Sequence, residues 1–115
     1  MAGRNLTKED IVNLLRQSKE KLTSFGVKSI GLFGSFVRGE TSAQSDIDIL
    51  VEFSRDRVTY DNFIDTCFFL EELFDHEVEV VTADSISPYI KPYIMKEVEY
   101  VPLSADPAQN AGLNI

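Results

Sequence analysis

The sequence is short of basic residues, cysteine, histidine and long apolar runs, and each shortage removes a class of function. Eleven Lys and Arg stand against nineteen Asp and Glu, a net charge of −8. That balance argues against a nucleic-acid partner, because affinity for phosphate backbones comes mainly from clustered cations. A nucleotide substrate stays open, since metal ions offset the repulsion. The one cysteine, Cys67, excludes an intramolecular disulfide and suits a reducing cytoplasm. It lies on an apolar stretch and reads as a core residue. There is no N-terminal apolar h-region and no run of about 18 apolar residues, so neither a signal peptide nor a membrane span is expected, and the chain reads as soluble and cytoplasmic. The one histidine, His76, reads as the start of a strand rather than as a general base. Neither internal repeats nor low-complexity tracts occur. A chain of 115 residues makes one small domain that buries about two thirds of the surface of its unfolded form. The domain is expected over 1–103, with a flexible tail of small and polar residues at 104–115. No room is left for a separate acceptor-binding domain.

What is present centres on Gly34 to Phe53, GSFVRGETSAQSDIDILVEF. Asp46 and Asp48 sit two apart in an apolar run. On a strand, residues i and i+2 share a face with Cα atoms about 6.6 Å apart. Both carboxylates then look one way, while Ile47, Ile49, Val51 and Phe53 enter the core. Asp is disfavoured in strands, so a pair of them among apolar neighbours implies more than a solvated edge. Paired carboxylates on a rigid strand suit a hard dication such as Mg²⁺, which takes oxygen ligands and keeps waters and phosphates in its shell.

Around this stretch the pattern alternates helix and strand. Thr7 followed by Asp10 predicts a helix N-cap after a fraying start at 1–6, and Ile11, Leu14, Leu15, Ser18 and Leu22 recur on one helical face up to a turn at Gly26. Val27–Phe33 reads as a strand with Val27, Ser29, Gly31 and Phe33 on one side. A short helix from Ser35 to Gly39 would put the Ser35 hydroxyl near backbone N–H groups, an anion site, or leave Ser35 as a plain helix cap. Thr41–Gln44 is a polar link, and Asp46–Phe53 the second strand. Tyr60–Phe74 is a helix apolar around most of its circumference, covered by the sheet and first helix or partly facing another chain, in a homo-oligomer or hetero-complex. His76–Thr82 is a third strand, with Val78 and Val80 inward and Glu79 on the other side. Ser87-Pro88 starts a last helix, irregular at Pro92, and Glu99–Leu103 returns as a short edge strand. The expected architecture is α/β (α+β), a small mixed sheet with helices packed on one face.

Gly-Ser, then Asp-Ile-Asp ten residues on, then HEVEVVT (76–82), resembles the nucleotidyltransferases of the polymerase β-like superfamily. Arg38-Gly39-Glu40, SDIDILV and SPYIKPYIMKEVEYV (87–101) are similar to its small branch, the minimal nucleotidyltransferases (MNT proteins) that act as antitoxins beside HEPN toxins. The resemblance covers about residues 25–101. It implies that Asp46 and Asp48 are catalytic and hold two Mg²⁺ ions, that Glu79 in VEVVT is the third catalytic and metal-binding carboxylate where the family usually has Asp, and that Gly34 and Ser35 bind the triphosphate of ATP. Arg38 either contacts the triphosphate or pairs with an acid to brace the turn at Gly39. Two metals about 3.5–4 Å apart clamp the attacking and leaving oxygens in such reactions. The implied activity is transfer of AMP to a hydroxyl, a tyrosine for choice, of a cognate HEPN toxin. The chain lacks an Arg-x₄₋₆-His toxin motif and would be the antitoxin. The alternatives are a binding module that inhibits by occlusion, its activity lost through Glu79, and nucleotidylation of a small molecule, whose enzymes generally carry the extra acceptor domain absent here.

Overall fold

The computed structural model describes residues 6–40 and 45–103. The expected tail at 104–115, the start at 1–5 and the 41–44 link lie outside the described residues.

Helix α1, Lys8–Gln17, opens on a reciprocal cap: Thr7 Oγ1 accepts the Asp10 N–H (3.1 Å), and Asp10 Oδ2 accepts the Thr7 N–H (3.0 Å). Leu6, expected to fray, packs instead against the cluster that holds Ile11, as a residue ahead of a cap commonly does. One helix was the expectation up to Gly26; the chain breaks at Ser18 and resumes as α2, Lys19–Ser24. Serine offers the backbone little to favour continuation, and the break lets Leu22 join Ile11 and Leu15 among the fully buried residues.

Four strands follow: β1 Val27–Phe33, β2 Ile47–Phe53, β3 Val78–Thr82 and β4 Glu99–Val101, in the order β3-β2-β1-β4. β1 pairs antiparallel with β2 and β4, and β2 pairs parallel with β3. The sheet is mixed, as expected. A register shift between Val27 and Ser29 corrects the simple alternation of β1. The extra residue of a bulge reverses the parity of what precedes it, so Val27 shares the core with Ile30 and Leu32 rather than the face of Phe33.

Helix α4, Tyr60–Phe74, is capped by Thr59, whose hydroxyl accepts the Asn62 N–H. It buries Leu70 and Phe74 with Ile11, Leu15 and Leu22 against Ile47, Ile49 and Val51 of the sheet, and Phe63, Phe69 and Leu73 pack at the margin. Sheet and first helices thus cover most of its apolar girth. Phe68 and Tyr60 remain 66% and 77% exposed. The other face of the sheet carries a smaller cluster, Phe33, Leu50 and Ile86, onto which α5, Lys91–Glu97, sets Ile94, with Val98 just after it. The regular turns of α5 begin at Lys91, not Ser87, with Pro92 in its first turn. Among the described residues, no helix is long and apolar enough to cross a membrane.

Candidate active site

β1 ends at Phe33, which pairs with Asp48 across the ladder. The next residue, Gly34, takes φ +81° and ψ −152°, a conformation that L side chains avoid. A Cβ there would also collide with the Asp48 carboxylate. Glycine is therefore needed twice over, for the turn and for the close approach. Helix α3, Ser35–Arg38, follows and closes on Gly39. Phe36 anchors it in the main core, while Ser35 is half-buried and Arg38 exposed.

Asp48 projects from β2 opposite the core residues Ile47 and Ile49. The parallel register sets Glu79 of β3 beside it, so two of the sequence-derived carboxylates are neighbours by strand pairing. Asp46 lies one residue ahead of β2 and is exposed. Burial, then the Glu79 and Asp46 carboxylates, push the Asp48 carboxyl up to about 6, with the Arg38 guanidinium opposing and Glu97 adding to the rise. Acids outnumber cations here: Asp46, Asp48, Glu79 and Glu97 act with Arg38 as the one opposing charge named on Asp48. Among the described residues, no three His, Cys, Asp or Glu side chains stand grouped to hold a metal ion. The donor chemistry, all carboxylate oxygen, fits a hard dication; the three acids are not preassembled around one point, consistent with like charges that repel.

A cavity of about 520 Å³ opens here, within the range of small-ligand sites. Gly34, Arg38, Asp48, Glu79 and Glu97 supply its charged and turn side, and Phe33, Ile86, Ile90 and Ile94 its apolar side; Asp46 is not on its wall. Glu97 was missed by sequence reasoning. Its carboxylate accepts the Gly34 N–H at 2.7 Å and two contacts from Arg38 Nη1, at 3.0 and 3.2 Å. Arg38 Nε also donates to Glu40, at 2.9 Å. Of the two roles open to Arg38, these contacts are those of a brace. A signal for Glu97 did exist: it continues the spacing of Ile90 and Ile94, an acid on the apolar stripe of an amphipathic helix. His76 packs edge-on to Phe36, with ring centroids 6.3 Å apart, and Cys67 is half-buried on α4. Neither lines the cavity.

The model of the nucleotidyltransferase domain family matches residues 13–101. Protein adenylyltransferase MntA of Thermococcus cleftensis is 40% identical over 97 residues, which is 84% of this chain and 97% of that protein. A solved structure assigned to the minimal nucleotidyltransferases is 27% identical with a TM-score of 0.66, covering 84% of this chain and 98% of its own. A chain of a toxin–antitoxin complex crystallised with AMP-PNP shares the fold at 23% identity and TM-score 0.61, over 91% of this chain and 80% of that one. The order of the motif, its glycine turn against Asp48 and a family match over most of the chain agree: the chain belongs to the nucleotidyltransferase domain family, as one of its minimal members, and is an enzyme of the nucleotidyltransferase type.

Proposed function

We propose that the chain transfers AMP from ATP, with Mg²⁺, to a tyrosine hydroxyl of a cognate HEPN-type toxin in the cytoplasm, and so acts as its antitoxin. The observation that carries this is the Gly34 turn closing directly over Asp48, with Glu79 at its side by parallel register. The kinship with protein adenylyltransferase MntA supports adenylyl transfer to a protein.

In this reading Asp46, Asp48 and Glu79 hold the metal, which supplies charge neutralisation at the phosphates and activation of the acceptor hydroxyl. Gly34 and Ser35 bind the triphosphate. Because Gly34 has no side chain, the turn passes directly against the Asp48 carboxylate and brings Ser35 beside the metal-holding group. Asp48, raised to about 6 by burial and by the neighbouring acids, gains from a cation that offsets that crowding. The partner supplies the acceptor hydroxyl, so the apolar side of the cavity serves the nucleotide. The test is to incubate the protein with Mg²⁺, labelled ATP and the partner encoded beside it. Label is expected on a partner tyrosine. A partner that binds yet stays unlabelled removes the proposal.

Inhibition by occlusion alone is the second reading, favoured by the carboxylates that are not grouped among the described residues and by Glu79 in place of the usual Asp. Asp46→Asn with Asp48→Asn separates the two. Loss of antitoxin effect with partner binding intact supports transfer, and full retention supports occlusion.

A further inference from the structure

The Gly34–Arg38 turn is not held by its own residues alone. A single carboxylate, Glu97, reaches both ends of it from α5: the Gly34 N–H at the first residue (2.7 Å) and Arg38 Nη1 at the last (3.0 Å). These partners lie 63 and 59 positions earlier in the chain. The Glu97 side chain is 25% exposed against 48% for Arg38; the bond to the Gly34 N–H is part-buried, while those to Arg38 are exposed. Bonds to an ionised acceptor are about twice as strong as neutral ones. Helix α5 is seated by Ile94, with Val98 following, on Phe33, Leu50 and Ile86, and Glu97 is carried on that seat rather than on a loop. An apolar residue at this place would bury the Gly34 N–H without an acceptor, which is costly. The turn that faces Asp48 is therefore fixed at one end by β1 and at both ends by Glu97.

We infer that Glu97 is a positioning residue for nucleotide binding: it clamps Gly34 and Arg38 in the arrangement from which Ser35 meets the triphosphate. This rests on the nucleotidyl-transfer reading above. Arg38, tied to Glu97 and to Glu40, acts within the clamp and not as a free phosphate ligand. The clamp also accounts for an acid facing Asp48, whose carboxyl it helps to push up.

The test compares wild type, Glu97→Gln and Glu97→Ala by initial rates against ATP with Mg²⁺ and partner, by equilibrium binding of ATP with Mg²⁺, and by thermal melting. Glu97→Gln keeps an acceptor for the Gly34 N–H and loses the charge facing Arg38. It should raise KM and Kd for ATP about fivefold, the difference between a charged and a neutral bond, with kcat within about twofold and the melting temperature unchanged. Glu97→Ala loses both bonds and should raise KM by about tenfold or more. Because Glu97→Gln is isosteric, it decides the matter if Glu97→Ala does not fold. Unchanged KM and Kd in Glu97→Gln would overturn the inference. So would tighter ATP binding, which would mean that Glu97 competes with the triphosphate, or a loss confined to kcat. Wild type that binds no ATP overturns the nucleotidyl-transfer reading itself, and this inference with it; wild type that binds ATP normally beside an unaltered Glu97→Gln overturns this inference alone.

Discussion

Strand β2 has two faces of opposite character, one residue apart. Ile47, Ile49 and Val51 point into the main core and are fully buried, while Asp48, Leu50 and Glu52 point the other way, where only Leu50 is buried. The first face meets α1, α2 and α4 and supplies most of the apolar burial. The second meets a three-residue cluster under α5 and otherwise carries charge. Stability and chemistry are thus divided across a single strand by the period of two. The core face tolerates crowding because all its groups attract. The site face gathers acids that repel, and it depends on the core face to hold them there.

The sharpest way to break this comparison is to remove equal volume from each side. Ile49→Ala should cost toward the upper end of the roughly 2–5 kcal/mol typical of such truncations, because its surroundings are closed on all sides, whereas Leu50→Ala, in the smaller cluster, should fall near the lower end. Urea unfolding of both variants, with m-values compared to confirm a native-state origin, measures the difference. Equal losses would mean that the two faces contribute alike.

A smaller effect is expected at the turns, and here two glycines make the comparison. Gly34 and Gly39 both have positive φ, +81° and +74°, but a Cβ at Gly34 meets Asp48 while one at Gly39 meets nothing within 4 Å. Alanine at Gly39 should cost only backbone strain, about 1 kcal/mol. Alanine at Gly34 adds the collision and should reach about 1–3 kcal/mol, with loss of transfer activity because Asp48 must move. Thermal melts and nucleotidyl transfer, measured on both, check this. A Gly34→Ala protein of normal activity would show that the close approach is dispensable.

The same division explains what could be read from the sequence. β1 and α4 fall where periodicity put them, Val27–Phe33 and Tyr60–Phe74, because alternation and a wide apolar girth are local signals. The pairing of Asp48 with Glu79 was implied by the family pattern, but its register is a property of the sheet. The bulge that turns Val27 inward is set by tertiary packing and nothing in the residues marks it; at Ser18 the residue type permits the break, and packing decides that it is used. Glu97 was hidden for another reason: its place on the apolar stripe of α5 is periodic, but its partners, a backbone N–H and an arginine some sixty positions away, are set by the fold. Asp46 kept its sequence neighbourhood with Asp48, yet stands ahead of the strand and off the cavity wall.

The smallest effect lies in the protonation of Asp48. Its carboxyl is raised from 3.8 to about 6 in the folded chain, chiefly by burial and then by Glu79 and Asp46. A raised folded value means that the folded protein binds the proton more tightly than the unfolded one does. Over the interval from about pH 4 to about pH 6 it therefore carries more protons, and this residue's contribution to stability declines as pH rises. Above the interval the decline is complete. Asp48→Asn, which cannot ionise, should lack that part of the slope: without metal, its stability relative to wild type should increase from pH 4 to pH 7, while its transfer activity is lost. Because Asp48 is only half-buried, solvent screens the effect, and the gain should be modest. Mg²⁺ should narrow the gap at pH 7 by stabilising the ionised form in the wild type alone. Chemical unfolding of both proteins at pH 4 and pH 7, with EDTA and with Mg²⁺, measures each step. If the difference between the two proteins is the same at both pH values, the crowding of acids around Asp48 carries no energetic weight, and the contrast between the two faces of β2 is one of exposure alone.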